Sequence, residues 1–119
     1  MPESDAQLEL AVTRLAELLE RIGHPSAHEV RRLLTVLVEQ PQLGLRELNQ
    51  NRWWAGAGSW AAETMADNPG LSEAEWMLEV REFRTLLIEI GERLLESTTP
   101  NPGISSWLSA FHHWNEAGV

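Results

Sequence analysis

The 119 residues include 18 acidic and 9 basic side chains, every basic one an arginine, for a net charge of −9. That length suits a single domain, 1–119, which buries enough core to fold without a metal or a disulfide. The lack of cysteine excludes disulfide and thiolate chemistry. An acidic domain is a poor match for nucleic-acid phosphates or an anionic membrane, whereas it suits a basic protein partner.

The N-terminal MPESDAQLEL has neither a basic n-region nor an apolar h-region, so no secretory signal is expected there. The longest apolar run, LLTVLV at 33–38, is far short of the ~20 residues of a membrane helix. These features fit a cytoplasmic protein.

Ser4 or Asp5 is expected to cap the first helix, and Gly23 to end it in the left-handed conformation. Leu8, Val12, Leu15, Leu19 and Ile22 form its apolar stripe, widened by Ala11 and Leu18. Glu17 and Arg21 stand at favourable i,i+4 spacing. After the break at His24-Pro25, Ser26 and Glu29 match a capping box, S-x-x-E, for a second helix. Its expected buried face is Val30, Leu33, Leu34, Leu37 and Val38, and Pro41 stops it. The short connection predicts an antiparallel hairpin.

In QLGLRELNQN (42–51), Leu45 and Leu48 suggest a short helical turn facing the core. RWWAGAGSW (52–60) follows, then a short helix that Ser59 can cap. Asp67-Asn68-Pro69-Gly70 is a turn signal, and Ser72 with Glu75 forms a second S-x-x-E box. This box opens the longest helix, about 73–96, with Trp76, Val80, Phe83, Leu87, Ile90 and Leu94 at spacings of four and three. Glu89 and Arg93 are an i,i+4 pair, and Gly91 marks a place for close helix packing. After STTPNPG (97–103) comes a last helix with Trp107, Ala110, Phe111 and Trp114 on one face. Residues 1–4 and 115–119 are expected to fray. The expectation is all-α: a compact bundle of four main helices plus short ones, with no sheet.

Motifs for chemistry are missing or broken. His24 and His28 have the i,i+4 spacing of metal ligands, but Pro25 and Ser26 interrupt them; His112 and His113 diverge, and no HExxH occurs. Neither a metal nor another cofactor is expected. AGSWA (57–61) lacks both outer glycines of a nucleophile elbow. GAGSWA lacks the third glycine and the strand of a dinucleotide fingerprint, and a P-loop needs a lysine. No catalytic residue is assigned.

Six tryptophans remain to be explained. Trp76, Trp107 and Trp114 lie on apolar stripes, and Trp60 is expected to pack inward below a corner made by Gly56, Gly58 and Ser59. Adjacent Trp53 and Trp54 diverge on any regular element, so one is expected to be partly exposed and to serve as an interface anchor. Candidate partner contacts are Trp53, Trp54 and Glu63, with Glu47 and Arg52 nearby.

The stretch Trp54-Ala55-Gly56-Ala57-Gly58-Ser59-Trp60, with Glu63 beyond it, resembles a set of small bacterial proteins. Their pattern is aromatic, Gly/Ala, Gly, any residue, Gly, Ser, then a hydrophobic residue and an acid. The family often has glycine at the place of Ala55 and Asp one place before Glu63. Such small acidic helical proteins resemble immunity proteins, and the resemblance implies an antitoxin role against a cognate, basic toxin domain. Two other readings stand beside it: a small-molecule or enzymatic pocket at the Gly56–Gly58 corner, and a structural or oligomerisation unit.

Overall fold

The apolar stripes become helices in the computed structural model, which describes residues 2–54, 59–63, 70–96 and 102–117. Four main helices are α1 (Pro2–Arg21), α2 (Ala27–Glu39), α6 (Glu73–Leu95) and α7 (Pro102–Ala117). Three short ones lie between them: α3 (Pro41–Leu48), α4 (Asn51–Trp54) and α5 (Trp60–Glu63). The fold is all-α, with no strand among the described residues.

Helix α1 begins at Pro2, ahead of the expected caps Ser4 and Asp5, which lie inside it. Proline is tolerated at a first helical position because its missing N–H would have had no intrahelical acceptor there. The other end is as expected. Gly23 has φ +71°, its N–H donates to the Glu20 carbonyl at 3.1 Å, and the His24 N–H donates to the Leu19 carbonyl at 2.8 Å. This is a Schellman turn, and it satisfies two carbonyls at the helix end.

The Ser26–Glu29 capping box does not form. Ser26 takes helical angles, φ −71° and ψ −11°, and its side chain makes no cap. A capping serine needs extended backbone to aim its oxygen back at the helix. Instead the Ser26 N–H donates to His24 Nδ1 at 3.0 Å, and the Glu29 carboxylate pairs with Arg52 of α4. The second box does form: Glu75 N–H donates to Ser72 Oγ at 3.2 Å, and Ser72 N–H donates to Glu75 Oε1 at 3.0 Å.

The expected i,i+4 pairs are replaced by links between helices. Arg21 bonds Glu79 and Glu82 of α6 through contacts of 2.8 and 2.7 Å rather than Glu17. Arg93 bonds Gln7 of α1 and lies 3.6 Å from Glu96, not against Glu89. Arg31 of α2 grips Glu20 of α1 with two bonds of 2.8 Å. These pairings show α1 running antiparallel to α6.

One core joins all the helices, drawing Leu8, Val12, Leu15 and Leu19 from α1 together with Val30, Leu33, Leu37, Phe83, Leu87, Ile90, Leu94 and Phe111. Val38, expected on the buried face of α2, is 55% exposed, because α3 folds back over Leu37 and leaves Val38 outside. Trp76 is half-buried; on α6 the buried stripe starts one turn later, at Val80. Helix α7 continues through Asn115 to Ala117, where fraying was expected. Arg81 donates to the Asn115 carbonyl at 3.1 Å and the Asn115 amide to Thr85 Oγ1 at 3.2 Å.

Two glycines set helix spacing. A methyl group on Gly91 would stand 2.7 Å from Leu108 Cδ2, so α7 lies close against α6 there, as the sequence suggested. A methyl group on Gly44 would stand 2.5 Å from Leu37 Cα, so α3 rests on the backbone of α2 itself. Alanine is ordinarily the better helix former by about 1 kcal/mol. Gly44→Ala should nevertheless destabilise by roughly 1–3 kcal/mol, since backbone must shift to admit the methyl. Denaturant unfolding checks this, and an unchanged or raised midpoint would show that α2 and α3 part freely.

The capping box and the α1–α2 clamp also give acid sensitivity. Bonds from Ser72 hold the Glu75 carboxyl below its ordinary 4.5, and the Arg31 bond does the same to Glu20. Depressed carboxyls stabilise the fold above the ordinary value, and the effect is lost as pH falls through the depressed one. Thermal midpoints should therefore drop below pH 4.5. Glu75→Gln, which keeps the acceptor without the charge, should flatten that drop.

Candidate functional site

The tryptophans point to the corner where α3, α4 and α5 meet. Helix α3 ends at Leu48, leaving carbonyls that the helix itself cannot satisfy. Two indoles supply the missing donors. Trp53 Nε1 donates to the Glu47 carbonyl at 3.1 Å and Trp54 Nε1 to the Leu48 carbonyl at 2.8 Å. The pair is therefore a side-chain cap on the C-terminus of α3, which explains two adjacent tryptophans as one device.

Both rings are buried: Trp53 is 4% exposed and Trp54 fully enclosed. This corrects the expectation that one of them would be an exposed anchor. Both rings instead reach the end of α3 and the same partner, Trp60. Trp60 of α5 stacks on Trp53 with centroids 4.6 Å apart and planes 20° apart. The guanidinium of Arg52 lies 4.3 Å from the Trp53 centroid, a cation–π contact. Trp54 meets the same Trp60 edge-on at 5.6 Å and 86°. Trp60 packs inward as expected, and Ser59 caps α5 by accepting the Ala62 N–H at 3.2 Å. Gly56 and Gly58 lie outside the described residues.

Arg52 itself is half-exposed and joins Glu29, which also stands 3.8 Å from Arg32. Glu47 is half-buried, and among the described residues its carboxylate takes one long 3.5 Å bond, from Gln50. The structure thus brings Trp53 and Trp54 onto Trp60, with Arg52 over the Trp53 ring and the Glu47 carbonyl accepting from its indole. Glu63 has a different role. Its Oε2 lies 2.9 Å from His24 Nε2 and ties α5 to the α1–α2 turn.

His24, weighed from the sequence only as a metal ligand with His28, has a different role in the structure. Its Nδ1 accepts the Ser26 amide, which places the proton of the neutral ring on Nε2, directed at Glu63. With both nitrogens engaged, the ring has no lone pair left for a substrate proton. Its partner is 39 residues away and no periodicity links them; position just after the Schellman glycine is its only local signal. Among the described residues no three His, Asp or Glu side chains converge as a metal site would require.

Arginine pairing elsewhere governs the surface. Arg21, Arg31, Arg32, Arg52 and Arg93 are all tied to glutamates of the same chain. Arg81 bonds a carbonyl, and Arg84 is buried with its guanidinium 5.3 Å from the Trp114 centroid. Burial alone pulls the Arg84 guanidinium below its ordinary range. Glu89, Glu92 and Glu96 stand exposed on one face of α6.

Compared with known proteins, the chain matches no family model, no curated protein and no solved structure.

Truncating Trp54 removes a core ring and the cap it makes. Trp54→Ala should destabilise by about 3–5 kcal/mol, measured by denaturant unfolding. Trp53→Ala should also lower stability markedly; an unchanged midpoint for Trp53→Ala would contradict its burial between Arg52 and Trp60.

Proposed function

We propose that this chain is a non-catalytic, cytoplasmic protein-binding module, most specifically a bacterial immunity protein that neutralises a basic toxin domain. One observation carries this reading. The arginines are largely consumed in pairs within the chain, so the net charge of −9 is expressed outward as carboxylates. A surface of that kind attracts and orients a basic partner. The Gly-x-Gly-Ser resemblance and the broken catalytic motifs agree with it.

Within this reading the tryptophan corner supports the surface rather than forming it. Trp53, Trp54 and Trp60 hold α3 to α5, Glu63 is tied to His24, and Arg52 and Glu47 are the corner's more accessible members. Co-expression with a toxin encoded beside this chain tests the proposal. Growth should be restored by this protein, and cells dying equally with and without it would end the immunity reading.

A small-molecule site at the same corner is a second reading, favoured by one detail. The Trp60 indole N–H is buried and has no hydrogen-bond partner among the described residues. A buried donor of this kind is costly unless something accepts from it. A thermal-shift screen of anions and metabolites checks it. No stabilising compound in such a screen would leave the protein-binding reading alone.

A further inference from the structure

An open groove of about 640 Å³ runs between α1 and α6, on a part of the surface separate from the tryptophan corner. Its apolar surface comes from Leu10 and Ala11 of α1 and Leu95 of α6. Leu10 is 51% exposed. A single exposed leucine is ordinary, but this one borders a concave, partly apolar surface.

The two rims differ. Along α6, Glu89 and Glu92, with Glu96 just past its end, follow one another at i, i+3 and i+7, all exposed, while Arg93 between them bonds Gln7 of α1 across the groove. On α1, Gln7, Leu10 and Arg14 have the same spacing. Arg14 and Glu89 have no ion-pair or hydrogen-bond partner among the described residues. Glu92 lies 3.8 Å from His112 Nε2, and Glu96 lies 3.6 Å from Arg93. Each rim extends over seven residues, about 10 Å or two helical turns.

Those features select an occupant. We propose that the α1–α6 groove receives an amphipathic helix of a basic partner protein. Apolar side chains of that helix cover Leu10, Ala11 and Leu95, while its basic flank faces Glu89, Glu92 and Glu96. This is helix-in-groove recognition, read by anchors at i, i+3 or i+4, and i+7.

A second copy of this chain does not fit. Its arginines other than Arg14 and Arg46 are engaged within the chain or buried among the described residues, and those two lie on different helices. No helix therefore offers a basic stripe, and two copies each of charge −9 repel. The proposal rests on the protein-binding reading above and gives it a place and a partner chemistry.

The test uses the full chain and two labelled peptides of roughly 18 residues, long enough to form a helix. One has a leucine face flanked by lysines; the other has the same face flanked by glutamates. The lysine peptide should bind, more weakly at high salt, and should shift the backbone amide resonances of Leu10, Ala11 and Leu95. Leu10→Glu should weaken it by about tenfold or more. The double reversal Glu89→Arg with Glu92→Arg should weaken the lysine peptide and strengthen the glutamate one. Both variants alter exposed positions, and unchanged thermal midpoints confirm that they fold.

Absence of lysine-peptide binding, equal affinity in the variants, or resonance shifts confined to another face would each overturn the groove assignment. So would concentration-dependent dimerisation abolished by Leu10→Glu, which would make a second copy the occupant. If the wild-type chain protects cells from its toxin and Leu10→Glu protects equally, the groove fails while the protein-binding reading stands. If the wild type never protects but the peptide binds as described, the immunity reading fails and the groove stands.

Discussion

Two indole N–H groups, on Trp53 and Trp54, end helix α3 by donating to its last carbonyls. Much of the middle of the molecule depends on this cap. It fixes where α4 begins relative to α3, and so where Trp60 must lie to stack on Trp53 and meet Trp54 edge-on. Through α5 it also sets the position of Glu63, whose contact with His24 reaches back to the turn between α1 and α2. A short helix such as α4 has little stability of its own. Here tertiary contacts supply what its length does not.

A second constraint is the close approach at Gly44 and Gly91. At Gly44 the backbone of a neighbouring helix comes nearer than a methyl group permits, and at Gly91 the Leu108 side chain fills the space a methyl would take. The approach at Gly44 brings α3 onto α2 and points the end of α3 at the tryptophans. That at Gly91 brings α7 against α6 and completes the core around Phe111. The corner and the bundle are thus joined by packing, with ion pairs such as Arg52–Glu29 on the outside. Exposed pairs of that kind add little stability individually. Each also neutralises the glutamate it engages, so the net charge of −9 resides on the carboxylates left over.

The helices and most of the core were legible from spacing. The α1 stripe, the glycine turn at Gly23, the Ser72–Glu75 box and the positions from Val80 to Leu94 follow from a period of 3.6 and local end signals. Ser26–Glu29 matched the same box and did not form it, because His24 and Arg52 took the groups the box needed. The i,i+4 pairs failed for a related reason: Arg21 and Arg93 found carboxylate or amide partners on another helix. Of the candidate site, the cap at Ser59 and the inward Trp60 were readable. The burial of Trp53 was not, since it depends on Arg52 and Trp60 covering opposite needs of one ring from different elements.

By itself, then, the sequence determined the all-α class, the main helices, the negative charge and the lack of recognised chemical motifs. These depend on residue type and on neighbours within a turn or two. Only the tertiary structure decided which tryptophans are enclosed, which arginines remain unpaired, that His24 meets Glu63, and that a groove with an acidic rim opens between α1 and α6. Each of these joins residues on different elements, some of them far apart in the chain, and the geometry that brings them together is fixed only when the helices have packed.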